Sequence, residues 1–326
     1  MMRALFARID PFVAMLLATV AAASLLPCSG VGATIFGWIA DAAIVLLFFL
    51  QGARLSREAI TNGLLSWKIH ASVLACSFVV YPALGFALVH LLPLDAIAAT
   101  GFLFLTLLPS TVQSSVALTA IARGNVAAAV CSASLSNIVG IFVTPLLVSL
   151  VLQRAGAASD LSAVPTILLQ LLLPFLLGHF SPDGLKRFLL RHKVLTTVVD
   201  RSSILLVVYT AFSAAVIEGI WHSYSLPRLA EIVVLCAALL ALVLVLTWTF
   251  ARRAGFSFAD SIVIQFCGSK KSLVSGVPMA GVLFAPAQVG FVVLPLMIFH
   301  QMQLIACAFL ARRYAAREDD LLPART

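Results

Sequence analysis

Residues 258–284, FADSIVIQFCGSKKSLVSGVPMAGVLF, decide the fold class. This segment is apolar over the length of a membrane span, yet Lys270 and Lys271 lie side by side near its middle. At about 1.5 Å of rise per residue, Lys270 lies roughly 15 Å into the span, near the bilayer midplane. Each lysine costs about 2.5–3.5 kcal/mol there, which indicates a functional site in an interrupted helix. A structural role, with the lysines bonded to carbonyl groups of a broken helix, is the alternative.

The whole chain shares this apolar character. Of its 326 residues, 62% are hydrophobic and 10% are charged, with 21 Lys and Arg and 13 Asp and Glu. Soluble proteins are about 45–50% apolar and about 25% charged, so this chain cannot cover a soluble surface. At about 20 residues per span, it is long enough for about ten transmembrane helices and leaves no room for a soluble domain.

Hydrophobic runs bounded by charges, proline or glycine predict the membrane spans. They lie at 11–28, 34–53, 65–92, 94–121, 126–152, 162–180, 195–220, 227–250, 259–284 and 288–311. The runs do not alternate as barrel strands do, so an all-α membrane protein of ten transmembrane helices is predicted.

Basic residues divide unequally between the two sides of these spans. One side has Arg154 and Arg228, and Lys270 and Lys271 lie within a span. The other side has the remaining 17 of 21: Arg3, Arg8, Arg54, Arg57, Lys68, Arg123, Lys186, Arg187, Arg191, Lys193, Arg201, Arg252, Arg253, Arg312, Arg313, Arg317 and Arg325. The positive-inside rule therefore predicts cytoplasmic N- and C-termini in a bacterial inner membrane. The basic groups form no stripe with interleaved aromatic residues, which argues against nucleic acid as a partner.

The chain is predicted to consist of two inverted five-helix repeats, residues 1–155 and 156–326, in one membrane unit. When the sequence is compared with itself at an offset of 159 residues, Pro109-Ser110 of the fourth span aligns with Gly268-Ser269 of the ninth. Such repeats are typical of secondary transporters, which bind their substrates at the midplane between broken helices. Chance similarity between apolar sequences is the alternative.

The fourth span contains the second polar cluster. Pro109 removes a helical hydrogen bond in LFLTLLPSTVQSSVALTAIARGN, residues 103–125. The polar residues that follow it are Ser110, Thr111, Gln113, Ser114 and Ser115. They indicate either a broken helix that binds a cation or a polar substrate, or a proline kink whose hydroxyl groups bond back to the helix.

The remaining polar residues give weaker signals. His300 and Gln301 at mid-depth in the tenth span fit a cavity lining and an interhelical hydrogen bond equally well. The six cysteines form no C-x-x-C pair and predict neither a disulfide nor a metal site. No catalytic triad or dinucleotide loop occurs in a fitting context, so we predict that the protein is not an enzyme and uses no cofactor.

Several motifs resemble the bile acid:sodium symporter family, and more closely its SBF-like branch. They are SSVALTAIARGNVAAAV at 114–130, VTPLL at 143–147, FCGSKKSLVSGVPMAGVLF at 266–284 and FHQ at 299–301. The resemblance covers nearly the whole chain. It implies ten helices in two inverted repeats, with broken helices four and nine crossing at the substrate and sodium sites.

The resemblance also implies a set of site residues. The family's Ser-Asn pair falls on Ser114-Ser115, and its sodium-binding glutamate falls on Gln265. A glutamine in the family's ninth helix corresponds to Ser269 of this chain. An asparagine that lines the family's cavity corresponds to Lys270. The other implied positions are Ser77 in the third helix and Ser132, Ser134 and Ser136 in the fifth. The carboxylate of the family's sodium site is therefore absent, and two lysines lie close to its position.

These replacements determine the predicted mechanism. A hard cation prefers anionic oxygen ligands, and a nearby ammonium repels it by several kcal/mol at low dielectric. Sodium coupling is therefore doubtful. A lysine ammonium in the cation site with an anionic substrate beside it, and proton coupling through Lys270 or Lys271, are the hypotheses that stay open.

The sequence thus predicts a secondary active transporter of an organic anion that works by alternating access. Its expected partners are the lipid bilayer and this substrate, and the oligomeric state stays open. Two other classes are the alternatives: a membrane accessory protein of the same fold that transports nothing, and an intramembrane enzyme that uses a lysine.

Overall fold

A computed structural model describes residues 11–54, 66–92, 94–154, 164–219 and 226–319, and within these ranges the chain is helical and contains no strand. The helices are α1 (Pro11–Leu25), α2 (Gly30–Ala53), α3 (Trp67–Ala75), a π-helical segment (Cys76–Val80), α4 (Tyr81–Leu91), α5 (Ala96–Leu107), α6 (Gln113–Ile121), α7 (Val126–Arg154), α8 (Val164–His179), α9 (Asp183–Arg191), α10 (Lys193–Ile217), α11 (Leu226–Arg253), α12 (Phe258–Gly268), α13 (Leu273–Leu283) and α14 (Pro286–Asp319).

Six helices in the described ranges are long and apolar enough to cross a membrane. They are Gly30–Ala53, Trp67–Leu91, Val126–Val151, Val194–Ile217, Leu226–Arg253 and Pro286–Ala316. Each coincides with one of the predicted spans, and the all-helical character is confirmed for the described residues. The other predicted spans, 11–28, 94–121, 162–180 and 259–284, fall on shorter or interrupted helices.

The chain forms two compact units. The first takes its described residues from Met1–Leu55, Pro165–Leu226 and Val277–Val293, and the second from Ser56–Val164, Pro227–Gly276 and Leu294–Thr326. Each unit thus draws on both of the predicted halves, 1–155 and 156–326. The division into repeats stays a prediction.

In the first unit, α2 and α8 pack backbone against backbone. A Cβ added at Gly52 would lie 1.9 Å from the carbonyl oxygen of Phe175, and one added at Gly178 would lie 1.9 Å from that of Phe49. Small residues permit such close approach between helices. At the end of α2, the guanidinium of Arg54 forms a bidentate pair with Asp200 of α10, with N–O distances of 2.6 and 2.8 Å.

In the second unit, α3, α7, α11 and α12 meet in a core of small and branched side chains. Its members are Ile69, Val73, Ala128, Ala129, Ala133, Ala251, Val263, Ile264 and Cys267. The turn between α6 and α7 is fixed on α12, because Asn125 Nδ2 donates to Asp260 Oδ1 at 2.9 Å. This bond gives the ARGN stretch a structural role.

Candidate functional site

The first helix break lies between α5 and α6 in the second unit. The helix ends at Leu107 and resumes at Gln113. Pro109 disfavours helical backbone at Leu108, whose ψ is 156°, and its nitrogen has no hydrogen to donate. The predicted interruption at Pro109 is confirmed.

The second break lies between α12 and α13, at residues 269–272. From the sequence, Gly268 and Pro278 are expected to bracket this break. The break is shorter than that, because Pro278 lies inside α13. The helix starts early because Ser272 Oγ accepts a hydrogen bond from the nitrogen of Ser275 at 3.1 Å.

The two breaks hydrogen-bond to each other. Ser110 Oγ donates to the carbonyl of Cys267 at 2.5 Å, and Ser115 Oγ donates to that of Phe266 at 3.3 Å. In return, the nitrogen of Ser272 donates to the carbonyl of Pro109 at 2.9 Å. Each break therefore supplies partners for backbone groups that the other leaves free.

Lys271 is a fully buried lysine with a complete set of acceptors. Its Nζ donates to the carbonyl oxygens of Ser77 (2.9 Å), Thr106 (2.8 Å) and Leu108 (2.7 Å). It also lies 4.1 Å from the centre of the Tyr81 ring, within cation–π range. This is the structural alternative considered for the lysine pair, and it holds for Lys271.

The backbone of Lys271 is held by Gln303 of α14. Gln303 Oε1 accepts from the nitrogen of Lys271 at 2.8 Å, and its Nε2 donates to the carbonyl of Lys271 at 2.9 Å. The same Nε2 lies 2.8 Å from Nδ1 of His300. The polar residues predicted in this span were His300 and Gln301. Gln303, three residues after His300 and on its helix face, is the one that contacts the break.

Lys270 has different surroundings from its neighbour. Its side chain is fully buried, and its Nζ has no hydrogen-bond partner among the described residues. The nitrogen lies 5.6 Å from the centre of the Phe266 ring, and the ionisable groups around it are the thiols of Cys307 and Cys267. Among the described residues, Lys270 is therefore the member of the pair whose ammonium has no hydrogen-bond acceptor.

Helix α7 supports the first break through the predicted Ser136 and its neighbour Asn137. Ser136 Oγ accepts from the nitrogen of Ser110 at 3.0 Å. Asn137 donates to the carbonyl of Ser110 at 2.8 Å, and its Oδ1 accepts from Ser275 Oγ at 2.7 Å. Asn137 was not among the predicted site residues, although the polar stretch around Ser136 pointed to this part of α7.

Other predicted residues also line the breaks, some of them through backbone atoms. Thr111 Oγ1 lies 2.8 Å from Ser114 Oγ and 2.9 Å from Ser115 Oγ. Ser77 and Ser269 contribute their carbonyl oxygens, and the second accepts from the hydroxyl of Tyr81. Tyr81 was missed because an isolated tyrosine in an apolar span gives no pattern.

The remaining predicted residues are described by their exposure or by other partners. Gln113 is exposed at the start of α6, Ser134 and Gln301 are half-buried, and Ser132 Oγ pairs with Nδ1 of His70 at 2.7 Å.

Gln265 points away from the helix breaks. Its Nε2 donates to the carbonyl of Leu244 at 3.0 Å, and its Oε1 accepts from the hydroxyl of Tyr314 at 2.8 Å. It lines an apolar cavity of about 310 Å³ together with Trp248, whose ring stacks on that of Tyr314. Both ends of its amide are thus occupied by protein groups.

Comparisons with known proteins identify the relatives of this chain. The SBF-like CPA transporter family matches residues 10–316. An uncharacterized protein of Pseudomonas aeruginosa is 54% identical over 95% of this chain and 94% of its own. "Putative symporter YfeH" of Escherichia coli is 50% identical over 97% and 96%, and the rat "Sodium/bile acid cotransporter 7" is 28% identical over 81% and 79%. Because the family model matches residues 10–316, nearly the whole chain, this protein belongs to the SBF-like CPA transporter family.

Proposed function

We propose that this protein is a secondary active transporter of a small or amphipathic organic anion and works by alternating access. The observation that carries the proposal is the ammonium of Lys270, buried at a helix break without a hydrogen-bond partner in the described residues. A buried charge is costly unless a counter-charge accompanies it. The positive ends of α6 and α13, which begin at the breaks, favour the same kind of ligand.

The names of the relatives support this substrate class. The rat relative is named for bile acid, which is an amphipathic organic anion, and the Escherichia coli relative is named a symporter. We extend to this chain only the chemistry that Lys270 can recognise. The substrate is an organic compound with a carboxylate or a similar anionic group.

Coupling to sodium is not part of the proposal. Gln265, at the position of the family's sodium-binding glutamate, carries no charge and is bonded at both ends of its amide. Lys271 places a second positive charge at the same break, which opposes a sodium ion beside it. Proton coupling through Lys270 or Lys271 is the alternative that these groups allow.

Substrate binding is therefore expected to change little when sodium is replaced by potassium at constant ionic strength. Neither the neutral amide of Gln265 nor the lysines offer the anionic oxygen that a sodium ion prefers. The measurement is the affinity of purified protein for an anion found in a thermal-shift screen. A strong and saturable sodium requirement would show that neutral oxygens suffice for a sodium site.

Flux measurements test the transport function itself. Purified protein in proteoliposomes should accumulate a radiolabelled anion that also stabilises the protein in detergent, and Lys270→Gln proteoliposomes should not. Binding without any flux would contradict transport and favour the accessory protein.

We further propose ten membrane crossings in two inverted repeats, with both termini in the cytoplasm and broken helices four and nine crossing at the site. Three observations support this arrangement. The basic residues divide 17 to 2 between the two sides, and the six long helices coincide with predicted spans. In addition, the two breaks lie at positions that the 159-residue offset relates.

Reporter fusions check the orientation of the chain. Fusions after Arg154 and after Arg228 are expected to report the periplasm, and one after Arg191 the cytoplasm, because basic loops are retained inside. Enzymatic reporters active on only one side of the membrane measure this directly. Cytoplasmic signals after both Arg154 and Arg228 would rule out the topology and the inverted repeat together.

A further inference from the structure

In the described residues, Lys271 Nζ donates its hydrogen bonds to main-chain oxygens alone, beside one aromatic face and the thiol of Cys76. The carbonyl oxygens of Ser77, Thr106 and Leu108 lie 2.7–2.9 Å from the nitrogen and accept all three of its hydrogens. The Tyr81 ring adds a fourth side. None of these groups belongs to the lysine side chain, so truncation of Lys271 would remove none of them.

The three carbonyls lack a helical N–H donor for reasons that do not involve the lysine. The carbonyl of Ser77 loses its helical donor because the nitrogen of Tyr81 bonds to Cys76 in the π-helical segment, and the next nitrogen belongs to Pro82. The donor four residues after Thr106 is Ser110, whose nitrogen bonds to Ser136 Oγ instead. Leu108 lies in the break before Pro109, outside any helix. The backbone thus presents negative oxygens whether or not an ammonium is present.

We propose that this pocket is a monovalent-cation site that the chain occupies with its own lysine. Rings of carbonyl oxygen replace the hydration shell of ions such as potassium, and an ammonium makes similar contacts with them. Removal of the Lys271 side chain should therefore open a site for free ammonium, potassium or rubidium. In the native protein the cation is part of the chain and cannot leave. This inference does not depend on which substrate is carried, or on whether any is.

The test measures cation binding to purified Lys271→Ala protein in N-methylglucamine chloride, whose cation is too large for the pocket. Ammonium, potassium or rubidium added at constant ionic strength should raise the unfolding temperature of this variant saturably, by about 5 °C, and leave the wild type unchanged. Equilibrium binding of radioactive rubidium should give one ion per chain for Lys271→Ala and none for the wild type.

Two variants serve as matched controls. Lys270→Ala removes the neighbouring ammonium, which contacts no carbonyl in the described residues, and should show no specific cation response. Lys271→Met fills the pocket with apolar atoms and should also bind no rubidium. Equal responses from Lys270→Ala and Lys271→Ala would overturn the proposal, as would the absence of a response from both.

Folding of the variant is part of the same test. Lys271→Ala and Lys271→Ser should be recovered in better yield when ammonium chloride is present throughout purification, because the added cation replaces the missing one. Recovery of neither variant in ammonium, with Lys271→Met recovered normally, would also overturn the proposal.

Discussion

Substitution of Lys270 by glutamine is expected to weaken binding of the anionic substrate by about 30- to 5000-fold. Truncation of one partner in a buried charge pair costs about 2–5 kcal/mol, which corresponds to this range. Glutamine retains much of the side-chain length and hydrogen-bonding capacity of lysine and removes only the charge. Calorimetric titration of purified protein with an anion from the thermal-shift screen measures the loss.

Lys271→Gln is the matched control for this experiment. The Lys271 ammonium is already bonded to three carbonyls, so its loss should lower the unfolding temperature and change anion affinity by less than about fivefold. Unchanged affinity in Lys270→Gln would exclude Lys270 as the anion site. A loss confined to Lys271→Gln would reverse the roles of the two lysines.

Substitution of Gly52 by alanine is expected to destabilise the first unit by at least about 3 kcal/mol. The added methyl group would lie 1.9 Å from the carbonyl oxygen of Phe175, so α2 and α8 would have to separate. A backbone carbonyl cannot rotate away from the added methyl group as a flexible side chain can. A large fall in the unfolding temperature in detergent, or the absence of folded protein, is the expected result.

Gly37→Ala in the same helix provides the control. A Cβ at Gly37 would meet nothing within 4 Å, so the variant should unfold at the wild-type temperature or slightly above it. Gly178→Ala, which repeats the clash from the side of α8, should behave like Gly52→Ala. Similar unfolding temperatures for Gly37→Ala and Gly52→Ala would contradict the close packing of these helices.

The helices and their interruptions could be predicted because local chemistry determines them. Apolar runs must be helical in lipid, and Pro109 breaks its helix whatever lies around it. The length of the second break could not be predicted in the same way. It depends on Ser272, whose hydroxyl starts α13 ahead of Pro278, and a serine at that position could equally have bonded back to its own helix.

The hydrogen-bond partners of the lysines could not be predicted from the sequence. Lys271 and Ser77 are far apart in the chain, and the contact uses a carbonyl oxygen, which every residue has and no motif marks. The sequence therefore placed both lysines near the middle of the span and could not distinguish their roles. Gln303 is a different case, because its spacing from His300 puts both on one helix face, and this regularity was available in the sequence.

Gln265 shows where a resemblance stops being informative. The correspondence with a sodium-binding glutamate places it among ion ligands, but its amide bonds to Leu244 and Tyr314. An amide needs both a donor and an acceptor, whereas a carboxylate only accepts, so the replacement changes which neighbours suit the side chain.

The lysines at the break are fixed in the chain, and this affects how the membrane voltage would act on transport. Because Lys270 and Lys271 are part of the chain, their charges return to the starting position at the end of every transport cycle. Under the proposed function, without sodium coupling, the net charge moved would be that of the substrate and of any proton that accompanies it. In a membrane that is negative inside, each 100 mV opposes the entry of a monovalent anion by about 2.3 kcal/mol and favours its exit equally. Without a co-transported cation, the membrane potential would therefore favour export of a monovalent anion over its uptake by such a carrier.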